Sequence, residues 1–278
     1  VDIETPHRQR IALAVQYVGT NLCGWQRQPN GRTVQGELEN AIERVSGKFA
    51  VIHGSGRTDS GVHAAAQFAH FDIVSPIPAT NWATALNAHL PDDVLVLASA
   101  AVTEDWHARF SARWRRYRYT IYTDWQPNLY LRPFSWHFYQ EPLDETTMQE
   151  ALNPLQGRHH LSAFRRSNSK RQHSWVEIQG ATCQRNGPIV TIEIQADGFL
   201  YGMVRLIVGM LVQVGRKDLS VADFTALWQT ERRDLVKHSA PAKGLCFLRA
   251  GYEDCPFGEA IWYDRLPGWT LKPTITPV

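Results

Sequence analysis

The sequence predicts an α+β fold in which the order βαββαβ occurs twice, the two halves joining into one largely antiparallel sheet with helices packed on it. Three observations carry this. Short alternating apolar runs recur along the 278 residues, and stretches with apolar residues at helical spacing fall between them. The order of these elements in the first half returns in the second. With 44% hydrophobic residues the chain can also bury a substantial core.

In the first half, Ile11, Leu13, Val15 and Tyr17 alternate as a strand, and Val34, Leu38, Ala41, Ile42 and Val45 then recur at helical spacing. Phe49 to His53 reads as a short strand, a glycine-rich loop follows, and Gln67 to Val74 reads as the next strand. A short helix around Trp82 to Leu86 and a strand from Val94 to Val102 complete the set.

The second half opens with a strand from Arg115 to Tyr122, a helix from Asp144 to Leu155 and a strand from Trp175 to Cys183. Val190, Ile192, Ile194 and Ala196 alternate with polar residues beyond a turn at Asn186-Gly187-Pro188. A long helix, Tyr201 to Val214, and a shorter one opened by Ser220, with Asp223 three residues on, precede a last strand at Leu245 to Ala250. Two ferredoxin-like halves result, residues 1–105 and 106–252, with the boundary near Glu104. Residues 253–278 read as an irregular extension, four prolines lying between Pro256 and Val278.

Composition narrows the function classes. A formal charge of +2 does not by itself announce a nucleic-acid partner. Cys23, Cys183, Cys246 and Cys255 form no CxxC pair, so neither a zinc site nor a disulfide framework is expected, and reduced thiols in a cytoplasm fit best. The pairs His63 and His70, or His159 and His160, lack a supporting cysteine or carboxylate pattern, and no metal is expected. No apolar run approaches the ~20 residues of a membrane span, and the opening VDIETPHRQR lacks a signal-peptide core, so neither export nor anchoring is expected.

Basic residues cluster locally instead. In RFSARWRRYR, Arg109 to Arg118, five of ten positions are arginine and none is acidic. On the strand, Arg115, Tyr117, Tyr119 and Ile121 point one way while Arg116, Arg118, Thr120 and Tyr122 point the other. Arginine interleaved with tyrosine suits RNA, whose phosphates meet guanidinium and whose unstacked bases meet an aromatic face. A second acid-free cluster, Arg165, Arg166, Lys170, Arg171 and His173, falls in a loop. A solvated charged surface would explain either cluster alone.

The helix DGFLYGMVRLIVGMLVQVG is apolar on most of its circumference, with Arg205 in its middle. At ~100° per residue, Gly202, Arg205 and Gly209 share one side, where a backbone or ligand could approach the guanidinium closely. A charge on a buried helix needs a carboxylate or phosphate to meet. Asp59, the one acid of GSGRTDSGVHA, is the natural partner. A salt bridge that merely ties the halves together is one reading of the pair. The other is catalytic, because a neighbouring guanidinium favours the charged form of a carboxylate, and a charged, oriented carboxylate is a nucleophile or general base.

Five separated blocks sharpen the choice: GWQRQPN (Gly24 to Asn30), GRTDSGVHA (Gly56 to Ala64), LNAHLPDDV (Leu86 to Val94), HARFSARWRRYRYTIY (His107 to Tyr122) and GFLYGMVRLIVGMLVQVG (Gly198 to Gly215). Together they resemble the A type of tRNA pseudouridine synthase, from about Ile11 to Tyr252. The resemblance implies the pseudouridine synthase fold, an isomerase that converts uridine to pseudouridine at positions thirty-eight to forty of the anticodon stem and loop, and no cofactor or metal. It further implies a homodimer with tRNA lying across both subunits. Asp59 matches the aspartate that attacks the target nucleoside, Tyr117 the tyrosine that stacks on the target base and assists proton removal, Arg205 the basic partner of the aspartate, and Arg57 an arginine that helps hold the flipped-out nucleotide. Arg109, Arg115, Arg116, Arg118, Arg165, Arg166, Lys170 and Arg171 are the expected further RNA contacts. Ser60 stands where that family often has alanine.

Two other classes compete. A non-catalytic RNA-binding protein explains the arginines and tyrosines but leaves Asp59 without a task on a surface where a carboxylate repels phosphate. A glycoside hydrolase also breaks a bond at an anomeric carbon with a carboxylate, but needs two carboxyls ~5 to 9.5 Å apart, and no second acid sits in a comparable loop.

Overall fold

The computed structural model describes residues 7–166 and 173–258. Strand β1 (His7–Tyr17) shows how the sequence builds the first half. Ile11, Leu13, Val15 and Tyr17 enter the main core, while Ala12 and Ala14 face the other way against Ala66, Phe68, Trp106 and Phe257. The small alanines allow this second face to be covered as well, so residues 11–15 are buried on both sides.

β1 pairs antiparallel with β3 (His63–Ser75) and β4 (Val94–Val102), and β2 (His53–Gly54) pairs with the far side of β3. The spatial order is β4-β1-β3-β2. In the second half β5 (Ala112–Tyr122) pairs antiparallel with β9 (Ile189–Ala196) and β10 (Leu245–Tyr252), and β8 (Trp175–Asn186) lies beyond β9. The order is β10-β5-β9-β8. Counted within each half, both orders run fourth, first, third, second, the ferredoxin-like arrangement that the element order predicts. Two short strands, β6 (Trp136–His137) on β5 and β7 (Gly157–His160) on β8, extend the sheet. The halves meet where β3 and β10 run parallel, through only two partner pairs, Cys246 with His63 and Phe247 with Ala64.

The five α-helices of the described residues feed one core on one face: α1 (Val34–Ser46), α2 (Trp82–Asn87), α3 (Glu145–Leu152), α4 (Met203–Gly215) and α5 (Val221–Gln229). Thr33, Asp144 and Ser220 cap α1, α3 and α5 by accepting a backbone N–H of the first turn. Pro154 ends α3 earlier than its apolar spacing suggests, and a 3-10 turn, Asn153–Leu155, follows.

The predicted strand at Phe49 to His53 shrinks to His53–Gly54. Its alternation is real, with Ala50 and Ile52 buried and Phe49 and Val51 exposed. Its backbone is tied elsewhere: Ile52 N–H donates to the buried carboxylate of Glu39 on α1 at 3.2 Å, so the segment is extended without joining the sheet. β3 begins four residues earlier than predicted, because His63 to Ala66 continue the pairing with β1 and β10.

The connection between the halves, residues 103–111, crosses the second face of β1 and β3. Arg10 holds it by donating to the Trp106 carbonyl at 3.0 Å and to the Glu104 carbonyl, while pairing with Asp72. Buried His70 accepts the Ala108 N–H through Nδ1 at 3.2 Å. Burial, then the neighbouring His107, Arg10 and His53, hold the His70 imidazole down to about 3. The unfolded chain therefore takes up a proton near pH 6.5 that the folded chain refuses until about pH 3, so the stability resting on neutral His70 is complete above that window and lost as pH falls through it. Thermal melts should lose less stability on acidification in His70→Asn, whose side-chain oxygen can still accept the Ala108 N–H, than in wild type. Parallel curves would mean that His70 does not hold this connection.

Candidate active site

The loop of residues 55–62 leads from β2 into β3 at the junction of the halves. It is pinned by backbone. Trp25 N–H donates to the Thr58 carbonyl at 3.1 Å, Gly61 N–H to the Leu22 carbonyl at 3.2 Å, and Val62 N–H to the Asp59 carbonyl at 3.2 Å. Gly24 has φ +86°, and a β-carbon there would overlap the Thr58 carbonyl. The Trp25 ring packs on Gly54. The GWQRQPN block is thus the loop against which the aspartate loop is folded. Along the pinned loop Arg57 is exposed, Thr58 buried and Asp59 half-buried.

Arg205 reaches Asp59 from the other half, 146 residues away in sequence, its Nη1 donating to Asp59 Oδ2 at 3.0 Å with each side chain 15% exposed. On α4 every residue except Arg205 and Gln213 is buried. A second bond fixes the guanidinium: Nε donates to the Ala240 carbonyl at 2.7 Å. Ala240 N–H in turn donates to the Arg205 carbonyl at 2.9 Å, and the backbone of residues 238–240 lies so close to Gly209 that a β-carbon would overlap the His238 carbonyl. The glycine-lined side of the helix read from the sequence therefore receives a backbone. Tyr119 anchors the same segment by donating its hydroxyl to the Pro241 carbonyl at 2.8 Å. Asp59 Oδ1 accepts no hydrogen bond among the described residues.

Tyr117 stands on β5 between two rings, edge-on to Phe199 at 4.9 Å and to Phe247 at 5.0 Å. Gly56 faces it, with room for a β-carbon 3.8 Å from the Tyr117 hydroxyl. Burial and then the nearby Asp59 carboxylate push the phenol well above its ordinary value, so it is a neutral O–H.

The arginines do not form one stripe. Arg115 is spent on backbone carbonyls, those of Ser55 at 3.2 Å, Ala112 at 3.1 Å, Asp197 at 2.8 Å and Arg109, which ties β5 to the start of the aspartate loop. Arg116 and Arg118 point to the opposite sheet face, where Arg116 bonds Gln195 at 2.9 Å and lies over Trp114, and Arg118 pairs with Glu193. Arg109 is exposed beside Phe110. Arg166 stacks on Tyr201 just ahead of α4 and reaches Ser239, next to the Ala240 that holds Arg205. Arg165 bonds Ser174 at 3.1 Å. Lys170 and Arg171 lie outside the described residues. Among the described residues no cluster of three or more His, Cys, Asp or Glu could hold a metal, and no helix is long and apolar enough to cross a membrane.

A profile described as tRNA pseudouridine synthase matches residues 13–111 and 151–253. The chain belongs to this family. Asp59 and Arg205 fall inside the two matched segments, and Tyr117 falls between them. Curated relatives named tRNA pseudouridine synthase A span nearly the whole chain. The relative from Rippkaea orientalis is 60% identical over 95% of this chain and 90% of its own, that from Nostoc sp. 62% over 93% and 92%, and that from Synechocystis sp. 59% over 94% and 96%.

Sequence reasoning missed the segment 238–241, whose use of backbone atoms leaves no side-chain signature. Removing the guanidinium strands a half-buried carboxylate and takes from that segment the bond to the Ala240 carbonyl, while its bonds to the Arg205 carbonyl and the Tyr119 hydroxyl remain. Arg205→Ala should therefore cost roughly 3–5 kcal/mol of stability in a denaturant melt, together with most activity. An equally stable variant would show that the pair holds nothing together.

Proposed function

We propose that this chain isomerises uridine to pseudouridine in tRNA, at uridines thirty-eight, thirty-nine and forty of the anticodon stem and loop, with Asp59 as the nucleophile. The observation that carries the reading is the state of Asp59: one oxygen held by Arg205, the other accepting no hydrogen bond among the described residues, in a loop pinned by backbone and facing Tyr117. Three opening steps suit such a group, attack at C1′ of the ribose, attack at C6 of the base, or removal of the C2′ proton. Each needs a charged carboxylate with a free oxygen. The uracil then leaves its C1′–N1 bond, turns and rejoins through C5. Substrate and product contain the same atoms, so no co-substrate enters the balance.

The target base must first leave its stack, at a cost of a few kcal/mol. Exposed Arg57 in the aspartate loop and Arg166, over Tyr201 just ahead of α4, are placed to meet phosphates, and Tyr117 to receive the base. A phenol kept neutral by burial and by Asp59 carries a proton that it can donate to an incoming base. Once Asp59 is esterified or protonated its charge is gone, and with it the second of the causes, after burial, that hold the phenol protonated.

Arg115, Arg116 and Arg118 enter this reading as supports of the sheet, since their guanidinium groups are engaged within the chain. A homodimer with tRNA across both subunits is the proposed working form, and exposed Trp125, Leu129 and Tyr130 between β5 and β6 offer apolar surface to a partner copy. Free cysteines agree with action in the cytoplasm.

Tritium release from tRNA transcripts labelled at uracil C5 tests the chemistry. Wild type should release label and leave carbodiimide-dependent primer-extension stops in the anticodon stem and loop, while Asp59→Asn should bind tRNA and release none. Turnover by Asp59→Asn would sink the nucleophile assignment. In a separate titration, Arg57→Ala with Arg166→Ala should flatten the salt dependence of tRNA affinity, by about 0.7–0.9 in log–log slope for every phosphate that the variant leaves unneutralised. A wild-type slope would place both residues off the RNA.

A further inference from the structure

Three polar side chains meet in the core of the first half, Tyr17 and Gln67 beneath the aspartate loop and Thr58 turned in from it, and of these only Thr58 belongs to the blocks that carry the family resemblance. Gln67 is wholly buried, Tyr17 is 2% exposed and Thr58 8% exposed. Gln67 Nε2 donates to the Gly56 carbonyl at 2.6 Å, Tyr17 hydroxyl donates to Gln67 Oε1 at 2.7 Å, and Tyr17 and Thr58 hydroxyls lie 2.8 Å apart.

The direction of this chain is forced. A carbonyl can only accept, so the amide nitrogen of Gln67 must face Gly56 and its oxygen must face Tyr17. The Tyr17 proton is then committed to Gln67, and Thr58 must donate to Tyr17. Each group has its partner, and no alternative set of protons satisfies all of them. A buried network with one solution resists rearrangement, since a half-satisfied one would leave polar atoms without partners.

Both ends of the chain land on the aspartate loop, at Gly56 and Thr58, one residue on either side of exposed Arg57 and immediately before Asp59. Gln67 and Tyr17 stand on β3 and β1, so the loop is referred to the centre of the sheet as well as to the Leu22 and Trp25 backbone that pins it. We infer that Tyr17, Gln67 and Thr58 are positioning residues that set the height and direction of the Asp59 carboxylate and the Arg57 guanidinium, through a single-direction hydrogen-bond chain. This rests on the reading of Asp59 as nucleophile.

The sequence carries a trace of it. Gln67 interrupts the apolar run AAAQFA, and a glutamine in that place is explained by what it must hold rather than by packing.

Single-turnover tritium release at saturating enzyme, tRNA affinity by filter binding and thermal melts, run in parallel, test the inference. Tyr17→Phe removes one hydroxyl and keeps the ring, Thr58→Val removes the other and keeps the shape, and Thr58→Ser restores the donor. A nucleophile displaced by even ~1 Å loses rate on the order of 10²-fold. Tyr17→Phe and Thr58→Val should accordingly slow the single-turnover rate by about 10- to 100-fold at unchanged tRNA affinity, and Thr58→Ser should recover it. A purely structural role would lower the melting temperature and leave the rate of the folded enzyme intact. Rates equal to wild type, or Thr58→Ser as slow as Thr58→Val, would overturn the inference. If Tyr17→Phe does not fold, the two Thr58 variants decide. Asp59→Asn is the control: its activity would overturn the nucleophile and the positioning chain together, whereas its silence beside fully active Tyr17→Phe and Thr58→Val would overturn the chain alone.

Discussion

The ion pair between Arg205 and Asp59 is the constraint on which the molecule is arranged. The halves share a sheet, but β3 and β10 contribute only two partner pairs to the seam. The rest of the seam near the loop is made by side chains: Arg205 on Asp59, Arg115 on the Ser55 carbonyl, and Phe247 beside Gly56. An arginine in the middle of a helix that is otherwise apolar on nearly every side has few places to go. With Asp59 and the Ala240 carbonyl it has two charge-assisted bonds, and without them it would be a stranded cation. The first half holds the loop, and the second half supplies the guanidinium that meets its carboxylate, so the complete ion pair exists only where both halves are folded together.

Charge is distributed by the same economy of partners. A sequence with ten residues from Arg109 to Arg118 of which five are arginine suggests a continuous cationic surface. The pleat splits it. Arg116 and Arg118 face the sheet side away from the helices and are neutralised or capped there, and Arg115 on the near side is fully engaged by carbonyls. The guanidinium groups left to the site come from three different places in the chain: Arg57 in the loop itself, Arg205 on α4, and Arg166, which precedes β8 and lies over Tyr201. Positive potential at the site is thus set by tertiary structure and not by the density of arginine in any one stretch.

This is also where the sequence was legible and where it was not. Alternation in β1, β5 and β9 and the apolar circumference of α4 predict faces correctly, because burial acts on each residue separately and leaves a period behind. Arg205 could be matched to Asp59 because a buried charge demands an opposite one. Contacts made by backbone leave no such mark. The carbonyl of Ala240 holds Arg205 through an atom every residue owns, and only Gly209, kept free of a β-carbon where residues 238–240 pass, hints at it. The strand expected at Phe49 to His53 failed for a related reason: its side chains alternate as a strand requires, but Glu39 takes the Ile52 N–H that a sheet neighbour would have used.

How firmly the loop is held bears on how the proposed reaction must proceed. Thr58 and Asp59 carbonyls accept from Trp25 and Val62, Gly61 donates to Leu22, Gly24 presses against the Thr58 carbonyl, and Arg205 grips the carboxylate itself. A loop tied at so many points cannot extend toward a base stacked inside an RNA helix without breaking several of these bonds, each worth about 0.5–1.5 kcal/mol net and more for the charged one. Extruding the nucleotide costs only a few kcal/mol, which exposed Arg57 and an aromatic face can offset. Movement of the RNA is therefore the easier coordinate, and a carboxylate held rigidly through one oxygen is the partner that such a movement calls for.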